Sequence, residues 1–246
     1  SISFPDSSKS LYEVWLGNRN ASEPPLGNLG GGSDHIAFYT HVGIPSWGGG
    51  SGGHSIYHSN FDSFAYYERF CDPTFKMGPM VEQVFGTMAL RLANADVLPY
   101  DLARYGTDLH SHFEGLQKLT LAYDKSATPF SFDALIKAAD ELKKVGEGCE
   151  AALKTANAKN RKAINAELLS LERQWIDKEG MPYGSWYRSL YASPDPYSGY
   201  ASWMLPAFQY EAANHSTANL KKWEQKHLDA INRIKSKMEG IINLAK

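Results

Sequence analysis

The chain has 246 residues, 43% of them hydrophobic, and carries 25 Lys and Arg against 27 Asp and Glu. That length and apolar content suffice for one large domain or two small ones. The charge is near neutral, no basic stripe argues for a nucleic-acid partner, and no acidic or basic block marks an interaction tail. No apolar run reaches the roughly 18–20 residues that cross a bilayer. Ser1-Ile2-Ser3-Phe4-Pro5-Asp6 has neither an initiator Met nor the basic and apolar regions of a signal peptide, so a processed or excised chain is expected.

The pattern changes near Leu98-Pro99, giving two expected domains, residues 1–98 and 99–246. In the first, Ser10 to Trp15 predicts one or two helical turns, and residues 18–32 form a Gly/Pro/Asn-rich loop. Ser33 or Asp34 caps a predicted helix through Ile36, Phe38 and Val42, stopped by Gly43. Ile44-Pro45-Ser46-Trp47 reads as a short strand of a β-α-β layer, followed by the glycine loop 48–53. From Asp62 the chain turns helical, breaks at Asp72-Pro73, and resumes through Met80, Val84, Met88 and Leu92.

The second domain predicts an antiparallel helical bundle. A helix is expected from Leu102 to Leu121. Three stripes of three- and four-residue spacing follow: Phe132 to Cys149, Ile164 to Trp175, and Leu220 to Ala245. Between the last two lies an aromatic-rich irregular stretch, residues 180–207, too apolar for a disordered linker. The fold class is therefore mainly α with a small α/β part.

The chemistry-bearing residues cluster early. Gly30-Gly31-Gly32-Ser33-Asp34 is a tight turn that lacks the Lys and spacing of a P-loop. His58, after a glycine loop and beside Tyr57, is a metal-ligand candidate, although a lone His is ordinarily a structural, hydrogen-bonded residue. His110 and His112 face different sides of a helix and cannot chelate one ion together. His35, His41, His54 and His215 have no carboxylate at metal spacing, and no Gly-x-Ser-x-Gly elbow supports a serine hydrolase. Cys71 and Cys149 have no metal-like spacing, which leaves two separate thiols or one disulfide. Asn20-Ala21-Ser22 and Asn214-His215-Ser216 are glycosylation sequons and lean toward a secretory, lumenal or extracellular setting.

The order of several runs resembles the glutamate carboxypeptidase II and transferrin receptor-like family of co-catalytic zinc exopeptidases. They are residues 9–15, 29–34 with Val42-Gly43-Ile44-Pro45-Ser46, Ile56-Tyr57-His58-Ser59, Phe70-Cys71-Asp72-Pro73, Leu171-Glu172-Arg173-Gln174-Trp175 and Gly199-Tyr200-Ala201. The resemblance implies that residues 1–98 are the C-terminal part of an α/β zinc-peptidase domain and residues 99–246 a helical dimerisation domain. It places His58 as a zinc ligand and Tyr57 as the group that hydrogen-bonds the reacting carbonyl. Gly31, Gly32 and Ser33 fall on the pocket lining, and Tyr200 on the tyrosine that holds the substrate's terminal carboxylate.

The implied cofactor is a pair of zinc ions, of which this chain supplies only His58. The implied partners are the missing N-terminal part of the same enzyme, a peptide substrate, and a second copy bound through the C-terminal helices. The implied location is the ectodomain of a type II membrane protein. The chain departs from glutamate-specific members at Gly48 and Gly50 or their neighbours, where they place two arginines, and at Gly199, where they place a lysine. A broader side-chain preference is expected, with amino- or carboxypeptidase polarity open. Because one imidazole cannot hold two zinc ions, the chain alone is expected to be inactive. The alternative is a non-catalytic, receptor-like dimerisation module.

Overall fold

A computed structural model describes residues 2–50 and 56–246. The chain is mainly helical, with one small two-stranded sheet, and forms two compact units. Residues 1–27 with 48–95 make the first, and residues 28–47 with 96–246 the second.

In the first unit, helix α1 (Leu11–Leu16) starts with a capping box: Ser10 accepts from the Glu13 amide while Glu13 returns to the Ser10 amide at 2.7 Å. A short helix α2 (Phe64–Tyr66) runs into a π-helical turn, Tyr67–Cys71. Helix α3 (Met77–Ala93) follows the Asp72-Pro73 break expected from sequence. Asp72 explains how α3 begins there. Its buried carboxylate accepts from the Lys76, Met77 and Gly78 amides and the Tyr67 hydroxyl, so one side chain satisfies three otherwise orphaned helix donors. Desolvation pushes this carboxyl up, but the four donors outweigh it and hold it below the usual carboxylate range. Lys76 also pairs with Asp6 at 2.5 Å, tying the N-terminal segment to the start of α3.

The second unit holds the core. Helices α4 (Leu102–Tyr123), α5 (Asp133–Leu153), α6 (Arg161–Leu169), α7 (Pro206–Ala213) and α8 (Leu220–Ala245) pack so that α4 lies on α5, α5 on α8, α6 on α8, and α7 on α4 and α8. The predicted stripes are the buried faces. Leu220, Trp223, His227, Ile231, Ile234, Met238, Ile241 and Ala245 are all buried, as are Ile164, Leu168, Leu171 and Trp175. In the α5 stripe only Val145 is half-buried. Rings of Phe113, Phe132 and Phe208 meet at 5.1–6.3 Å in the centre, with His227 4.8 Å from Phe208.

The α4–α5 contact is so close that side chains are excluded. A Cβ on Gly106 would sit 2.4 Å from the Ala139 carbonyl oxygen, and one on Gly146 2.6 Å from Leu102 backbone atoms. Backbone meets backbone at these two points.

The aromatic stretch 180–207 contains the sheet. Strands β1 (Ala192–Pro194) and β2 (Ser202–Met204) pair antiparallel, with Ala192 opposite Met204 and Pro194 opposite Ser202. His227 fastens this region to α8, its ring nitrogens lying 2.7 Å from the Trp223 oxygen and 3.0 Å from the Leu190 oxygen. Burial lowers its pKa.

Two local expectations differ. Ile44–Trp47 is not a strand; residues 44–47 carry no ladder bonds, and the preceding helical segment is a π-helical turn, Ala37–Val42, ended by left-handed Gly43 (φ +71°). Glycine is required there, since a Cβ would also approach Ile176 and Arg173 to within 2.9 Å. The expected glycine loop 48–53 lies partly outside the described residues.

Candidate functional site

Residues 28–47 pack into the helical unit through anchors that sequence separation hides. The Thr40 carbonyl, fully buried, accepts from the Arg188 and Ser189 amides at 3.1 and 2.9 Å. His41 lies with Nδ1 2.6 Å from the Trp186 oxygen and its ring stacked on Trp186 at 4.9 Å. Gly43 rests on the 3₁₀ turn Glu172–Trp175.

The Gly30–Gly32 turn is thereby laid across the hairpin that carries Tyr200. A Cβ on Gly31 would fall 2.6 Å from the Ala201 oxygen and 2.8 Å from the Tyr200 oxygen. One on Gly30 would fall 2.8 Å from Ser202 Cβ. Gly32 is left-handed (φ +83°), with the Tyr200 ring 3.9 Å from where its Cβ would stand. The amide of Gly31 donates to Ser202 Oγ at 2.9 Å. Thus Gly31, Gly32 and Tyr200, 168 or more positions apart, occupy one place, and only glycine permits the approach. Ser33 follows on this turn, exposed, its carbonyl accepting from the Ile36 amide at 3.3 Å.

The hairpin tip that presents Tyr200 is braced from within. Asp195 accepts from the Tyr197 amide at 2.8 Å and from Ser198 Oγ at 3.0 Å, while its own amide donates to the Ala201 oxygen at 2.8 Å. Tyr200 is 57% exposed.

Tyr57 and His58 lie in the other unit, on a turn closed by the Ser59 amide donating to the Ile56 oxygen at 3.0 Å. Their rings stack at 3.8 Å, and both are exposed. His58 adopts φ +61°, a conformation costly for most side chains and more tolerable for His. Among the described residues no group of three or more His, Cys, Asp or Glu is placed to hold a metal ion. The described residues by themselves therefore do not fit a dinuclear zinc centre. His110 is engaged elsewhere, 2.7 Å from Asp140 across the α4–α5 contact.

Sequence reading missed a buried carboxylate beneath residues 28–47. The Glu172 carboxyl lies deep among Tyr39, Tyr100, Tyr105 and Tyr191, although the residue as a whole keeps some exposure, and it accepts from the Tyr105 hydroxyl. Burial raises its pKa against the opposing effect of that hydrogen bond. The same burial, with Glu172 nearby, pushes Tyr100 up to about 12 and Tyr39 and Tyr105 well above their usual range. No sequence signal marked it, since Leu171-Glu172-Arg173-Gln174-Trp175 is mostly polar.

Both cysteines are unbridged. Asn20 is exposed in the 18–27 loop. Asn214, at the end of α7, is exposed with its amide donating to the Tyr210 oxygen at 2.8 Å and the Tyr197 hydroxyl at 3.2 Å.

The family model for the transferrin receptor-like dimerisation domain matches residues 130–239, the span from α5 through most of α8. A protein of Arabidopsis thaliana named "Probable glutamate carboxypeptidase LAMP1" is 32% identical over 226 residues, covering 89% of this chain and 32% of its own length. The chain belongs to the glutamate carboxypeptidase and transferrin receptor-like family. Members similar to it include "Probable glutamate carboxypeptidase" of Arthroderma benhamiae, 29% identical over 85% of this chain and 30% of that protein. "Aminopeptidase NAALADL1" of Rattus norvegicus is 26% identical over 91% of this chain and 33% of that protein. The chain spans about a third of the length of these relatives. No helix among the described residues is long and apolar enough to cross a membrane.

Proposed function

We propose that this chain is part of a zinc exopeptidase that hydrolyses peptides, and that it supplies one zinc ligand, part of the substrate pocket, and the homodimer contact. The observation that carries the reading is the joining of the Gly30–Ser33 turn to the Tyr200 hairpin. Two pocket elements suggested independently by the family resemblance meet where glycine is sterically required. In this reading His58 holds zinc together with ligands from the N-terminal part of the same enzyme. The exposed Tyr57 hydroxyl donates to the oxygen of the reacting carbonyl, Gly31, Gly32 and Ser33 line the pocket, and Tyr200 grips the terminal carboxylate. Zinc, when bound, supplies Lewis-acid polarisation and a water of lowered pKa.

The exposed apolar side chains of the first unit, among them Phe61, Phe64, Phe70, Met88 and Leu90, fit a surface covered by that further polypeptide. In this reading the chain by itself is inactive, since no group of three or more His, Cys, Asp or Glu among the described residues is placed to hold a metal ion. Homodimerisation through α5–α8 rests on the family of residues 130–239, and N-glycans at Asn20 and Asn214 fit a secretory, extracellular or lumenal location.

The test is zinc content and peptide hydrolysis of the chain assembled with the N-terminal part, with and without His58→Ala. The variant should lose bound zinc and turnover together, whereas unchanged turnover refutes the ligand assignment. Light scattering gives the oligomeric state. A dimeric assembly with no hydrolysis in the unaltered protein would favour the second reading, a receptor-like dimerisation module; the match of the family model to the helical part alone is what keeps that reading in view.

A further inference from the structure

We infer that Ser202 is a positioning residue of the proposed pocket, acting through Gly31 to hold the glycine turn at a set height over Tyr200. The inference rests on the reading above and adds a residue that neither the motif nor its glycines indicate. Ser202 opens β2, opposite Pro194, and its neighbour two residues on, Met204, is buried, so its backbone is fixed from the core side. On the other side the strand continues into the hairpin tip braced by Asp195, which ends at Tyr200. Its hydroxyl oxygen accepts the Gly31 amide at 2.9 Å, across a separation of 171 residues.

This bond decides which turn amides remain for a substrate. Among the described residues, the Gly32 and Ser33 amides have no acceptor within the chain, whereas the Gly31 amide is consumed by Ser202. Gly32 is left-handed, so the backbone bends between its amide and the next one. Such a pair of donors suits an oxygen of a peptide or carboxylate. At the turn itself, its position relative to the Tyr200 ring is set by the backbone contact of Gly31 with residues 200–201 and by the hydrogen bond that Gly31 donates to Ser202. The backbone contact limits how near the turn can come. Among the described residues, the Gly31–Ser202 bond is the hydrogen bond made by the turn itself that opposes its lifting away.

Removing the hydroxyl should therefore weaken substrate binding and leave the chemical step alone, because the groups at His58 and Tyr57 are untouched. In the assembled enzyme, Ser202→Ala should raise KM about threefold to tenfold, the range one net hydrogen bond supplies, with kcat within twofold. Ser202→Thr, which keeps the hydroxyl, should restore KM. In the chain itself, hydrogen exchange at the Gly31 amide should speed up about tenfold in Ser202→Ala and stay slow in Ser202→Thr.

A KM within twofold of the unaltered enzyme in Ser202→Ala overturns the assignment, as does a matching fall in kcat or a failure of Thr to rescue. If the unaltered assembly shows no zinc-dependent hydrolysis, the peptidase reading itself fails. The exchange measurement then still reports whether Ser202 holds the turn, and an unchanged Gly31 amide would overturn that part too.

Discussion

Alanine at Gly106 and at Gly115, two positions on the same helix, should change stability in opposite directions. Both substitutions gain about 1 kcal/mol of helix propensity. At Gly115, as at Gly240 on α8, nothing lies within 4 Å of the added Cβ, so this gain is kept and the chain is stabilised. At Gly106 the methyl would stand 2.4 Å from both the Ala139 oxygen and the Lys143 nitrogen, and at Gly146 it would stand 2.6–2.7 Å from Leu102 and Ala103 backbone atoms. Carbon contacts settle at about 3.5–4.0 Å, so α4 and α5 must part by about 1 Å. No flexible side chain can yield, because every atom met is backbone. Overpacking costs about 1–3 kcal/mol and more where relief is blocked, so against the propensity gain the net loss reaches about 2 kcal/mol when every nearest atom is backbone. For a chain of this size each kcal/mol moves the melting temperature by about 2–4 °C. Thermal and urea unfolding followed by circular dichroism should show Gly106→Ala and Gly146→Ala below the unaltered chain, and Gly115→Ala and Gly240→Ala above it. If all four shift the same way, the helix contact is not as close as described and the steric argument fails.

Glu172→Gln should become more stable relative to the unaltered chain as pH rises. The raised carboxyl pKa means the folded state binds a proton that the unfolded state releases above about 4.3, so stability is full below that pH and is lost as pH climbs through the folded-state value. A melting-temperature difference between variant and unaltered chain that stays flat from pH 4 to 8 would refute the burial of this group. Gly31→Ala should disrupt the pocket more severely than Ser202→Ala, since its Cβ meets two carbonyl oxygens inside 3 Å; a KM equal to that of the unaltered assembly would contradict this. Under native conditions an alkylating reagent should label half-exposed Cys71 and spare Cys149, whose thiol is buried and pushed up to about 11. Denaturant should release the second thiol, and mass spectrometry that finds Cys149 modified in the folded chain would place it at the surface.

The helical unit was legible because its information is local and periodic. Three- and four-residue steps from Leu220 to Ala245 require no knowledge of the partner, and every member of that stripe is buried. The hairpin was not legible, since β1 and β2 are three residues each, too short for an alternation to register. Ile44–Trp47 has strand-like composition, yet a strand exists only where another chain segment takes its hydrogen bonds, and none does so among the described residues. At the site, glycine identity announced a tight turn at residues 30–32, but its reason, contact with the 200–202 backbone, lies 171 residues away. Glu172 is buried among four tyrosines from three other parts of the chain, which leaves no local trace.

The placement of residues 28–47 in the helical unit bears on how the proposed pocket is maintained. Their anchors are the Thr40 carbonyl, the His41–Trp186 stack, the packing of Gly43 on the Glu172–Trp175 turn, and the Gly31–Ser202 bond, and all four end on residues between 172 and 202. That stretch is itself fixed to the bundle by Trp175 and Leu190 in the core and by His227 of α8 against the Leu190 oxygen. The glycine turn and Tyr200 are thus held by the same helices that carry the dimerisation-domain sequence, and none of these four anchors involves His58. Loss of bundle packing should release the turn, whereas substitution at His58 should leave the Gly31 amide protected. Hydrogen exchange at that amide in Gly106→Ala and His58→Ala separates the two cases. Equal protection in both variants would break the link between bundle and pocket.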